Sequence, residues 1–278
     1  MATELAGQVH RDRTVESHRQ AVERVILEMR ARFDEPLALQ EMGEIACLSP
    51  FHFDRVFHQL TGIPAVQFLY ALRIEEAKRL LLTTALSITD VCYEVGYNSI
   101  GTFTSRFTQL VGLSPRQFRR LANNVDNSRL ESLFNEVIAI FQKSSAGPSV
   151  SGRIITSEQI ERLIFVGLFS TLIPQGRPMA GTLLTGSGTY RIRPVKDGRY
   201  NVFAAAFPRT DKPQAYLVPD PDSLLVGVGR CIANVSNRQS NAPVDVTLRP
   251  LQITDPPILI ALPFLLVEVL GDAESMVV

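Results

Sequence analysis

Apolar and polar positions change rhythm once along this chain. From Ser17 to Phe141 apolar residues recur at every third or fourth place, the period of one face of a helix, and the only prolines there are Pro36, Pro50, Pro64 and Pro115. Proline suits the first turn of a helix and breaks an interior, so these four mark helix starts or separations. After Ala146 the pattern becomes short apolar runs bounded by turn residues, among them RLIFVGLFS, TYRIRPV, RYNVFAAAF, SLLVGVGR and VDVTLRPL, and 13 of the 17 prolines fall there. Runs of that kind predict strands. Asp197-Gly198, between two of them, predicts a hairpin, because glycine tolerates the positive φ of a tight turn. The expected fold is multidomain, α then β, the second half a small β-sandwich. Residues 1–17 are read as a flexible tail, 18–122 as the helical domain, 123–147 as a linker helix and hinge, and 148–278 as the β domain. Leu130, Leu133, Val137, Ile140 and Phe141 set the linker's helical spacing.

Within the helical half one pattern is written twice. FHQLTGIPAVQFL, residues 57–69, returns fifty residues later as FTQLVGLSPRQFR, residues 107–119. Phe53, Phe57, Leu60, Gly62 and Phe68 fall on Phe103, Phe107, Leu110, Gly112 and Phe118, and after a slip of one, Met42 and Ala46 meet Val91 and Val95. Each copy predicts a short helix, a turn and a second helix held by phenylalanines. In the first, Leu39, Met42 and Ile45 or Ala46 face inward and a Ser49-Pro50 cap starts the next helix. In the second, Ile88, Val91 and Val95 do the same, and Gly96 permits the turn. Two small helices so arranged are a helix-turn-helix. A repeat array built for protein contact would need at least three copies. Two copies on one long helix, Pro64 to Leu82, suit second helices lying in successive major grooves, about 34 Å apart.

Charge adjusts this picture without overturning it. Lys plus Arg and Asp plus Glu both number 28, so no overall basic field exists. Residues 18–122 hold 12 Lys/Arg against 11 Asp/Glu, net +1, and phosphate attraction should be modest and salt-sensitive. Cys47, Cys92 and Cys231 are widely spaced and odd in number, as expected of reduced, buried thiols in the cytoplasm, the first two as apolar fillers of helices. The N-terminus lacks the apolar core of a signal peptide. The longest apolar run, Ile258 to Val267, is ten residues interrupted by Pro263. It is short of the roughly 20 a bilayer demands, and is predicted to be a buried strand.

Residues 18–122, with SPFHFDRVFHQLTG, LRIEEAKRLLLTTALSITDVCYEVGYNS and FTSRFTQLVGLSPRQFRR, closely resemble the DNA-binding domain of AraC/XylS-type transcriptional regulators. The resemblance implies a seven-helix domain that binds double-stranded DNA through two helix-turn-helix units, coupled to a companion domain that senses a small molecule or dimerises. RNA polymerase, a second copy of the chain and a small-molecule effector are further candidate partners; no membrane and no cofactor is implied. Many members carry this domain last and here it comes first, so a companion's ligand class does not carry over. On the first recognition helix the resemblance points to Ser49, Phe51, His52, Asp54 and Arg55 as DNA-facing. Members commonly reach a base edge from the position of Arg55, where arginine can pair bidentately with guanine for roughly 1–3 kcal/mol of discrimination. Asp54 is expected to orient that arginine. On the second, Ser99, Gly101, Thr102, Thr104, Ser105 and Arg106 include the outward faces. Ser105 holds the place equivalent to Arg55, and Arg106 is displaced by about 100° around the helix, so phosphate contact is at least as much expected of it as base readout. Arg116 follows a Ser114-Pro115 cap, where free amides also suit phosphate, with Arg119 and Arg120 alongside.

The β half offers little for catalysis. His10, His18, His52 and His58 all precede residue 60, so it has no imidazole for a Ser/His/Asp or Cys/His arrangement and no ordinary zinc site. Residues 149–207, with the expected hairpin, look like transthyretin-type or carboxypeptidase-regulatory-type sandwiches. The expected function is a cytoplasmic, sequence-specific transcriptional regulator, modulated or assembled by the β domain, and not an enzyme. Two other readings stand beside it: a protein-interaction adaptor that has lost operator recognition, and a cysteine-dependent DNA-repair enzyme, which would need an activated Cys231.

Overall fold

This computed structural model describes residues 2–124 and 148–261, apart from 172, 194, 211, 237, 238 and 241. Seven helices come first: α1 (Ala2–Ala31), α2 (Leu39–Ala46), α3 (Pro50–Thr61), α4 (Ala65–Thr83), α5 (Ile88–Glu94), α6 (Ile100–Val111) and α7 (Pro115–Asn124). The stretch expected as a tail is thus helical from Ala2 onward. The expected linker helix lies outside the described residues beyond the end of α7.

Local chemistry places the helix ends. Pro50 opens α3 at its first position behind Ser49, whose side chain makes no cap bond. Ser99 does cap α6, its Oγ accepting from the Thr102 amide at 3.5 Å. Ser87 and Asp90 form a reciprocal capping box on α5. Both α3 and α6 stop at a left-handed glycine, Gly62 (φ 80°) and Gly112 (φ 90°), which closes the last turn. Cys47 corrects the expectation of a buried filler: it is exposed and itself takes the left-handed turn (φ 56°) between α2 and α3. Cys92 is buried as expected, and its thiol is pushed up by that burial.

The helices share two cores joined by α4. Val22, Ile26, Met29, Met42, Phe53, Phe57 and Phe68 fill the first; Ile74, Ala77, Val91, Phe103, Phe107 and Phe118 belong to the second. Aromatic pairs run through both, Phe53 to Phe57 to Phe68 and Phe103 to Phe107 to Phe118, with centroids 5.4–5.8 Å apart, all edge-to-face but the tilted Phe103–Phe107 pair. Between the cores sits Arg73 of α4, 8% exposed. Its guanidinium donates to Phe33 O (2.6 Å), Glu35 O (2.8 Å) and Gly96 O (2.8 Å), and lies 5.9 and 5.8 Å from the Tyr70 and Tyr97 ring centres. One cation therefore ties the turn after α1 to the turn after α5. Gly96 is required there: it has φ 77°, and a Cβ would fall 2.3 Å from Asp34 O.

Ten strands follow. β1 (Val150–Ile155) pairs with β4 (Gly188–Ile192) and with β9 (Val246–Thr247) in a three-stranded sheet. A larger sheet runs β10 (Arg249–Pro250), β6 (Leu225–Val228), β5 (Gly198–Pro208), β2 (Arg162–Phe169), β3 (Ala180–Leu184), with β7 (Ala233–Ser236) on β5 and β8 (Gln239–Ser240) on β7. Side chains alternate across β2. Ile164, Val166 and Leu168 share a core with Val150 and Ile154 of β1 and Tyr190 and Ile192 of β4. Leu163, Phe165 and Phe169 point the other way, into the core of α4–α7. That double burial is why RLIFVGLF reads as an unbroken apolar run.

Two expectations fail here. β4 and β5 do not form a hairpin; Asp197-Gly198 connects strands of different sheets, because Tyr190 and Ile192 complete the core facing β1 while β5 registers against β2. The Ile258 run forms no strand within the described residues. Leu259, Ile260 and Ala261 instead lie buried against the helices.

The two halves are bonded as well as packed. The last carbonyls of a helix lack intrahelical donors, and at the end of α6 the β half supplies three: Gly176 N to Leu110 O (3.1 Å), Ala261 N to Val111 O (3.4 Å) and Arg177 Nε to Gly112 O (3.2 Å). Lys78 of α4, 2% exposed, donates to Ile258 O (3.3 Å) with its ammonium 6.0 Å from the Phe118 ring centre. Burial pulls its pKa down from 10.5 to about 8.

Two outcomes are expected. Arg73→Ala should lower unfolding free energy by about 3 kcal/mol, since three carbonyls lose a charged donor in a buried site; urea denaturation measures it. For Lys78 the folded pKa lies below the unfolded value, so above about pH 8 the unfolded chain binds more protons and stability rises with pH. Buried Tyr97, pushed up to about 12, and Cys92 act oppositely once their unfolded forms ionise. The Lys78 contribution, about 1 kcal/mol between about pH 8 and 9, should therefore be read as the parent's change in stability minus that of Lys78→Met, in which Cys92 and Tyr97 act alike.

Candidate nucleic-acid interface

The repeated pattern puts α3 and α6 in equivalent positions, each the second helix of a pair and each with one phenylalanine-lined face inward. On α3, Phe53, Val56 and Phe57 are buried, which turns Phe51, Arg55 and His58 to solvent. Phe51 is 88% exposed, an unusual state for an aromatic ring on a folded helix. Arg55 makes no side-chain hydrogen bond or ion pair among the described residues. His52 is half-buried and meets His18 of α1 edge-on, centroids 5.3 Å apart. Ser49 is exposed at the helix start with its hydroxyl uncommitted to the cap.

Asp54 does something the sequence reading missed. Its Oδ1 accepts from the Ala65 amide at 3.0 Å, so it caps the first turn of α4 rather than orienting Arg55. The spacing explains why: α3 ends and α4 begins after Pro64, with no donor of its own on that proline, and a carboxylate one turn into α3 reaches the next free amide. The carboxylate of Asp54 is thereby turned toward the fold.

On α6, Ile100, Gly101, Thr102, Ser105 and Thr108 face outward. A shallow groove runs along Gly101, Thr104, Ser105 and Thr108. Thr104 is half-buried. Arg106 is half-buried as well, its guanidinium 5.0 Å from the Tyr70 ring centre. Its departure from the outward face has a reason visible in the repeat. With Phe53 laid on Phe103, Arg106 falls on Val56, a core position, so its stem must lie against the domain and its cation stacks on Tyr70.

The two outward faces therefore differ in depth: α3 presents an aromatic ring, a free arginine and two imidazoles, while α6 presents glycine and short hydroxyls. Gly101 is informative, since its backbone needs no positive φ and a Cβ there would meet only Ser99 Oγ, at 3.8 Å. Among the described residues nothing asks for glycine at that place.

Beyond α6, Ser114 and Gln117 cap α7 reciprocally: Ser114 N donates to Gln117 Oε1 (2.9 Å) and Gln117 N to Ser114 Oγ (3.3 Å). Arg116 and Arg120 are exposed. Arg119 is turned inward, donating to Leu81 O at the end of α4 (3.3 Å). Among the described residues no group of three or more His, Cys, Asp or Glu could hold a metal ion, and no helix is long and apolar enough to cross a membrane. Cys231 is exposed and unpaired in a disulfide.

Comparison with known proteins covers the part of the chain that holds these helices. Residues 42–121 match the helix-turn-helix domain family and carry a domain of the AraC type. The chain is 30% identical over 103 residues to the bifunctional transcriptional activator/DNA repair enzyme AdaA of Bacillus subtilis, covering 37% of this chain and 46% of that one. It is 28% identical over 152 residues to the HTH-type transcriptional regulator ArgR of Pseudomonas aeruginosa, covering 48% and 46%. Among solved structures, the C-terminal domain of AraT, a response regulator from Geobacillus stearothermophilus, aligns at 32% identity over 36% of this chain and 84% of that one, with a TM-score of 0.35. The chain spans less than half the length of the curated relatives it matches first. Its relatives are mostly transcriptional regulators.

Neighbouring residues on α3 should separate by role. Asp54→Ala should cost about 1 kcal/mol of stability through the lost cap, whereas Arg55→Ala should stay within about 0.5 kcal/mol of the parent. Thermal melts of the two variants check this.

Proposed function

We propose that this protein is a sequence-specific transcriptional regulator that reads one DNA site with two helix-turn-helix units, α3 and α6 lying in adjacent major grooves, and with the two-sheet half, a small β-sandwich, as its companion body. The observation that carries the reading is the pair of equivalent helices whose outward faces the fold leaves free, held at one relative setting by Arg73. In this reading α3 supplies specificity: Arg55 pairs with a guanine edge and Phe51 meets a thymine methyl. Ser49 and His52 contact the backbone at the same groove.

The second unit binds by close approach. Ser99, Thr102 and Ser105 have hydroxyls short enough for phosphate or thymine contact, and Gly101 lets the helix backbone come nearer the duplex than any side chain would. Arg116 adds a phosphate contact at the start of α7. With a net of only +1 over residues 18–122, a second copy or polymerase supplies the affinity that charge does not. The protein acts in the cytoplasm, and no step in this reading is catalytic.

Selection of genomic DNA fragments at about 150 mM salt should enrich one motif spanning two adjacent grooves. Arg55→Ala should lose preference at one base pair, by roughly 1–3 kcal/mol in anisotropy titrations. Gly101→Ala should instead gain about 0.5 kcal/mol in stability while weakening all sites alike. Absence of any sequence preference in the parent protein would sink the regulator reading and favour the adaptor.

A further inference from the structure

A cavity of about 270 Å³ lies between the helical domain and the larger sheet. The turn from α3 to α4, with Ile63, and Ala71 of α4 form one wall; Phe165 and Phe169 of β2 and Phe203 of β5 form the other. The lining is mainly apolar. Phe169 and Phe203 pack edge-to-face there, centroids 5.6 Å apart. Leu60 and Val228, which also line it, are exposed and give it a rim toward solvent.

Its charged groups and its threonine are already paired, and Gln175 adds one amide to the lining. Arg249 and Asp255 stand at one end as a bidentate ion pair (2.6 and 2.8 Å), and Asp255 also accepts from the Gln252 amide (2.7 Å). Thr61 Oγ1 is 2.9 Å from both the Phe57 and Ile63 carbonyls. A charged ligand would find no free counter-charge in these groups, and water would find few partners.

We propose that this cavity is the site of a small-molecule effector, uncharged and predominantly aromatic. Size sets the class: an engineered cavity of roughly 150 Å³ holds benzene, so about ten non-hydrogen atoms fit here, a fused bicyclic ring rather than a sugar or a nucleotide. Position sets the consequence, which rests on the DNA-binding reading above. An occupant touches the sheet on one side and the turn that ends α3 on the other, so it changes how firmly the first recognition helix is held against the β half. Binding at that wall and binding of DNA at the outward face of α3 are then coupled through one rigid element.

The protein has no tryptophan, so indole serves as a probe whose fluorescence, excited beyond the tyrosine band, is free of protein background. Indole titrated into the full chain should show saturable one-to-one binding. Ala71→Leu and Ala205→Leu, which fill the cavity from opposite walls, should each weaken it about tenfold or more without lowering the melting temperature. No saturable binding in the parent, or undiminished binding in a folded filled variant, overturns the site. This readout uses no DNA, so it stands or falls apart from the regulator reading. With the selected DNA fragment, saturating indole should shift affinity by a factor of about 5 or more in the parent and not in the filled variants. An unchanged affinity with indole bound overturns its role as effector.

Discussion

Arg73 carries a constraint that no apolar contact could impose. A guanidinium presents its donors in a rigid fork, and here each of its three nitrogens donates to a backbone carbonyl from two separate turns, while two tyrosine rings flank it. Withdrawing that charge from water is costly unless every donor is used. The geometry is therefore all or nothing: the turn after α1 and the turn after α5 must both be in place before α4 can bury its arginine. The absence of a side chain at Gly96 completes the contact by letting the Asp34 backbone close on it. The proposed reading of one DNA site by α3 and α6 depends on that fixed relation, since two helices on a loose joint could not keep one spacing along a duplex.

A second constraint joins the halves. The β half donates to three carbonyls at the end of α6 and packs Phe165 and Phe169 into the same core as Phe103 and Phe107. Helix ends need partners from somewhere, and here they come from another part of the chain. Segments outside the strands thus hold the second helix pair by hydrogen bonds, and the sheet meets the first across a cavity. The asymmetry is physical: α6 is capped by the β half, while α3 touches it through a wall that can be filled.

Legibility in the sequence followed the range of the forces involved. The helices, their glycine stops and the inward phenylalanines were readable because period and capping act within a few residues. The outward positions Phe51, Arg55, Gly101, Thr102 and Ser105 followed from the same period. Asp54 and Arg106 did not, since each is set by a neighbour remote in sequence: a free amide on α4 and the ring of Tyr70. The repeat did hold a signal for Arg106, its equivalence to buried Val56. Nothing local could have shown that Asp197-Gly198 connects two sheets, because a turn residue states that the chain reverses and not which strand it will pair with.

By itself, then, the sequence determined the order of helices before strands, the doubled helix pair and the residues that α3 and α6 turn outward, all consequences of short-range periodicity. Only the tertiary structure decided which partners long side chains and strand edges would take. It put Arg73 between two turns, Lys78 under a segment 180 residues away, and an apolar cavity where a β-strand faces the turn of a helix pair. Those outcomes depend on burial and on hydrogen bonds between distant segments, whose cost and gain are fixed only when the whole chain has closed around them.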